Sequence, residues 1–153
     1  MSQSGGRGRA LEIMEAGLHT ELNERAGRYA THLGEFHFAE AAARALEDQV
    51  TGQEGALRAW LAGEQRSLDV GMLRMFHAAI DLGRVEHASA AKVYKEAEVR
   101  LEGSRGELFD SLKRRSKLRE VRRRKQREGL QLETRREAVE LDEQWLQNRS
   151  SRI

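Results

Sequence analysis

The chain has 153 residues, of which 34% are charged and only 5% aromatic, with no Pro and no Cys. So few large apolar side chains cannot fill a thick globular core, and the lack of Cys excludes disulfides, thiol chemistry and cysteine-based zinc sites. The formal net charge of +2 hides a strong imbalance: residues 113–127 hold ten basic and one acidic group, or +9, which leaves −7 for the remainder.

Ala, Glu, Arg and Leu are abundant and the mean hydropathy is −0.74, the composition of long exposed helices. The absence of Pro fits, because one Pro inside a helix costs about 3 kcal/mol. The opening "MSQSGGRGRALEIM" has no apolar run of signal-peptide length, and no stretch approaches the ~18 apolar residues of a membrane span. The expectation is a cytoplasmic protein with no direct membrane insertion.

Residues 1–7 read as a disordered start. "GGRGRA" at residues 5–10 has neither a preceding strand nor the G-K-[ST] that a phosphate loop requires. A first helix is predicted over about 8–64. Its apolar stripe is loose and passes through Leu11, Met14, Leu18, Leu22, Arg25, Tyr29, His32, Phe36, Ala39, Ala43, Leu46, Val50, Leu57 and Trp60. The turn falls at about 65–69 within "LAGEQRSLDVG". There Gly63 suits a left-handed helix end, and Ser67 or Asp69 suits a cap for the next helix.

The second helix is predicted over about 69–148, with residues 149–153 fraying. Phe76, Ile80, Gly83, His87, Ala90, Tyr94, Ala97, Leu101, Ser104, Leu108 and Leu112 step by four or three, close to the coiled-coil period. Strand-like alternation is absent. The fold class is therefore all-α, a long two-helix antiparallel coiled-coil hairpin that predicts a monomer. Folding at about residue 66 pairs Phe36 with the neighbourhood of Glu96, and Met14 with that of Leu118. Many of the 14 glycines fall inside these helices, each costing roughly 1 kcal/mol relative to Ala.

Chemistry finds little footing. His32 and His37 are five apart and His77 and His87 ten apart, so neither pair shares a helix face, and no H-E-x-x-H occurs. Acidic neighbours such as Asp142 and Glu143 have no pocket to separate their pKa values. No nucleophile–base pair stands out. The chain reads as a non-enzyme without metal or cofactor.

The basic run "KRRSKLREVRRRKQREG", residues 113–129, has three readings. Nucleic-acid binding would release counterions from phosphates. Yet at seven-residue steps Leu130 is followed by Glu137 and Gln144, not by a leucine zipper, and no stacking aromatic lies between Phe109 and Trp145. Membrane binding needs bulky apolar residues opposite the charge, and Leu118 and Val121 alone are insufficient. A protein partner needs only an acidic complementary surface, and the plain alternative is a solvated helix face. The first two readings stay open behind the last two.

Three stretches carry a family resemblance. In "MLRMFHAAIDLGRVEH", residues 72–87, an aromatic is followed by aliphatic, small and His positions at +4, +7 and +11, falling on Phe76, Ile80, Gly83 and His87. The central "KVYKEAEVRLEGSRGEL" continues the seam. A basic helix then leads into Leu141, Asp142 and Glu143 within "RRRKQREGLQLETRREAVELDEQWLQNR", residues 122–149. Together these resemble the FliJ family of flagellar export proteins and its YscO-type counterparts in type III secretion.

That resemblance implies a two-helix stalk that hydrolyses nothing. It implies insertion of the paired ends into a hexameric secretion ATPase, through Arg114, Arg115, Lys117, Arg119, Arg122, Arg123, Arg124, Lys125, Arg127, Leu141 and Trp145. It implies contact near the hairpin tip with the cytoplasmic domain of an export gate, through Gln53, Leu57, Trp60, Phe76, Ile80, Gly83 and His87. Some members also escort export chaperones, and the expected location is the cytoplasmic base of the secretion apparatus. The alternatives are a basic helical nucleic-acid-associated protein and a dimeric coiled-coil scaffold.

Overall fold

The computed structural model describes residues 3–63 and 69–150, and among these there is no strand. Two helices account for the described residues, α1 over Gln3–Ala62 and α2 over Val70–Ser150. They pack against each other as an all-α helical hairpin. Helix α1 begins at Gln3, ahead of the expected start near residue 8, since nothing in the Gly- and Ser-rich opening forbids helical dihedrals as a Pro would. Helix α2 runs two residues past the expected limit of 148.

The end of α1 differs from expectation, whereas the start of α2 follows it. Gly63 was a candidate left-handed cap, yet no described residue, Gly or otherwise, has positive φ. Its N–H instead donates to the Ala59 carbonyl at 3.1 Å, so the chain leaves α1 from an ordinary last turn. Asp69 caps α2: its Oδ1 accepts from the Gly71 N–H at 2.9 Å and the Met72 N–H at 3.4 Å. Its own carbonyl accepts the Leu73 N–H at 3.0 Å and opens the helical ladder. Ser67, the other cap candidate, and most of the expected turn lie outside the described residues.

The chain divides into two compact units, one of them Asn23–Leu108 and the other made of the chain before and after it. Within Asn23–Leu108 the seam is thin. Its buried members are Ala39, Ile80, Gly83, Ala97 and Ser104, with half-buried Phe36 and Tyr94 meeting across it at 5.2 Å between ring centroids. Phe36 thus meets Tyr94, two residues from the expected neighbourhood of Glu96. A β-carbon on Gly83 would stand 2.9 Å from Val50 Cγ2, so any side chain at this crossing forces Val50 aside. Ion pairs flank the seam: Glu35 with Arg100 at 3.7 Å, Glu54 with Arg84 at 2.6 Å and Arg28 with Glu107 at 3.3 Å.

In the other unit, Leu22 and Ser111 are buried. Glu21 meets Arg114 at 3.4 Å and Glu15 meets Arg122 at 2.8 Å. Two expected seam positions shift here. Met14 is 60% exposed and Glu15 half-buried, because the alternation of four- and three-residue steps, followed back from Leu22 through Leu18, reaches Glu15 and then Leu11. Ser111 takes the fully buried place for which Leu112 was expected, since three residues after Leu108 keep the register and four do not.

Candidate functional site

Helical geometry turns each residue by about 100°, so ten cations in residues 113–127 cannot share one stripe. They surround α2, and every one of them is exposed. The basic run is thus a sleeve of positive charge and not a single helix face. Helix α1 neutralises two of its members, Arg114 through Glu21 and Arg122 through Glu15. Arg124 pairs along its own helix with Glu120 at 2.6 Å. Lys113, Arg115, Lys117, Arg119, Arg123, Lys125 and Arg127 have no ion pair among the described residues.

A shallow groove of about 520 Å³ lies beside this sleeve. On α1 it is lined by Glu15, Leu18 and His19, and on α2 by Arg115, Leu118, Arg119, Arg122, Arg123 and Gln126. The spacings of three and four place each set on one face of its helix. Leu18 and Leu118, both half-buried, are the apolar lining, and Arg115, Arg119 and Arg123 stand in a row at four-residue steps. The same three arginines border a second depression with Leu112, Ser116 and Glu120. They therefore form a ridge. Like charges four apart on a helix repel, so this row is destabilising unless an anion covers it.

The residues that the resemblance assigns to an export gate occupy another place. Ile80 and Gly83 are buried in the seam, and Gln53, Leu57, Trp60, Phe76 and His87 are half-buried. Trp60 and Phe76 stack on each other at 5.8 Å between centroids. Trp60 Nε1 and Gln53 Oε1 are buried without a hydrogen-bond partner. The physical reason is their spacing: the four- and three-residue steps that made these positions recognisable also direct them between the helices. Nearby apolar side chains that do face outward are Leu61, Val70, Met72 and Met75, with Met75 72% exposed. They stand off the seam register, and a search for periodicity passes over them.

Beyond Leu118 every residue of α2 through Ser150 is exposed. Leu141 and Trp145, assigned to ATPase contact, lie on this part, and Arg149 covers the Trp145 ring at 5.1 Å from its centroid. Leu132, Val139 and Leu146 repeat at seven-residue steps on the same stretch, also exposed, and were missed because charged residues interrupt the pattern between them.

Among the described residues no cluster of His, Asp or Glu is placed to hold a metal ion, and no helix is long and apolar enough to cross a membrane. No family model matches the chain, and neither a curated protein nor a solved structure matches it.

Proposed function

We propose that this chain is a coupling stalk of a type III secretion or flagellar export apparatus, a non-enzymatic helical hairpin that engages a hexameric export ATPase. The observation that carries the reading is the exposed sleeve at residues 113–127, where seven cations have no ion pair among the described residues. Such a surface favours an acidic partner and draws it in by long-range attraction. The likeness of residues 72–87 and 122–149 to the FliJ and YscO-type proteins supplies the identity of that partner. Leu141 and Trp145 would add apolar contact. The exposed Leu61, Val70, Met72 and Met75 fit the contact with an export gate better than the seam residues do. Export chaperones are further candidate partners, and a cytoplasmic location at the base of the apparatus goes with this reading.

The test is capture of the hexameric export ATPase from the same source on immobilised full-length chain, together with ATPase turnover. Capture and stimulated turnover are expected. Charge reversal of Arg115, Arg119 and Arg123, none of which has an ion pair among the described residues, should abolish both while leaving helicity unchanged. Absence of capture by the parent chain overturns the reading.

A further inference from the structure

We infer that the groove between Leu18 and Leu118 is a binding site for an acidic amphipathic helix, laid in the furrow between α1 and α2. This deepens the stalk reading by giving the chemistry of a partner segment, yet it stands on the groove itself and is tested apart from the ATPase.

Two features select the occupant. The lining on α2 extends from Arg115 to Gln126, about 17 Å along the axis at about 1.5 Å per residue, which matches roughly three turns of a docked helix. Within that length the cationic row Arg115, Arg119 and Arg123 repeats every four residues, about 6 Å per step. Carboxylates four residues apart on a facing helix repeat at the same interval, so each Arg gains a partner and the repulsion along the row is relieved. A phosphate backbone would satisfy the charge as well, but it has nothing for the apolar lining. Leu18 and Leu118 are half-buried and line the same groove, and an aliphatic stripe beside the acids would finish their burial. Anchors at helical spacing in an inter-helix furrow are the helix-in-groove mode of recognition. Glu15 shapes the specificity: held against Arg122 at 2.8 Å, it repels an acid placed on the α1 side and directs the partner's carboxylates toward the arginine row.

The experiment uses the full chain and three fluorescent probes of equal length. The first is a helical peptide of Glu, Ala and Leu with Glu at every fourth position and Leu on the adjoining stripe. The second has the same composition with its Leu residues spread around the helix. The third is single-stranded DNA of matched charge. The amphipathic peptide is expected to bind at least tenfold more tightly than the other two. The double variant R119E/R123E, in the groove, should weaken that binding at least tenfold. The double variant K117E/R127E changes net charge equally but lies outside the groove, and should weaken it less than threefold. Circular dichroism checks that both variants remain helical. Equal affinity for the two peptides, equal loss in the two double variants, or tighter binding of DNA would each overturn the site. Peptide binding without ATPase capture removes the stalk reading alone, and capture without peptide discrimination removes the groove alone.

Discussion

Gly83 of α2 and Val50 of α1 approach so closely that a β-carbon on Gly83 would lie 2.9 Å from Val50 Cγ2. Other helical glycines, Gly34 and Gly103 among them, have open space where a β-carbon would go. The same substitution should therefore have opposite signs at these places. Gly34→Ala and Gly103→Ala should each stabilise the hairpin by about 0.5–1 kcal/mol, the helix-propensity difference. Gly83→Ala gains that amount but forces Val50 aside, at a cost of about 1–3 kcal/mol, so the net effect is a loss. Urea denaturation of the three variants checks the signs.

Asp69 supplies two side-chain hydrogen bonds to the first turn of α2. Asp69→Ala should cost about 1 kcal/mol, and Asp69→Asn, which keeps an acceptor oxygen at the same place, should cost much less. Thermal melts followed by circular dichroism distinguish the two.

Phe36 and Tyr94 form an aromatic layer of the seam, 5.2 Å between ring centroids. Because Phe36 is only half-buried, Phe36→Ala should cost about 2 kcal/mol, below the range for fully buried aromatics. A double-mutant cycle with Tyr94→Ala should show coupling of about 0.5–1.5 kcal/mol, and a value near zero would mean that the rings do not stabilise each other.

Glu15 and Arg122 lie 2.8 Å apart with side chains 30% and 55% exposed. Water screens a pair of this exposure, so Glu15→Gln should cost less than about 1 kcal/mol, and the difference should vanish at about 1 M salt. The substitution also releases Arg122, so attraction of polyanions should rise even as the hairpin weakens slightly.

Much of the hairpin was legible because seam positions repeat at four and three from Phe76 to Ser104, and the register carries through to Tyr94 opposite Phe36. Reading failed where two neighbours competed for one place. Leu112 is the more apolar, but Ser111 keeps step with Leu108 and is the buried one. Met14 lost to Glu15 in the same way. Hydrophobicity ranks side chains by transfer energy, whereas closely spaced helices select small ones, so Gly83 and Ser104 were legible by their step alone and Ser111, beside the more apolar Leu112, was not. At the basic run the charge was plain. Its neutralisation was not, since Glu15 and Glu21 reach it only once the register between α1 and α2 is set. The Leu18–Leu118 lining likewise needs both helices in place.

The uniform exposure of α2 after Leu118 has a consequence for how the molecule opens. Amide protons there are sheltered by helical hydrogen bonds, with no buried layer to be broken before they exchange with solvent. Isolated helical turns open readily, whereas amides around Ala39, Ile80 and Ala97 exchange only when packed layers separate. Hydrogen–deuterium exchange should therefore fall into two tiers along one continuous helix, fast beyond Leu118 and slow around Ala97. A partner that grips the outer tier would reveal itself by slowing it.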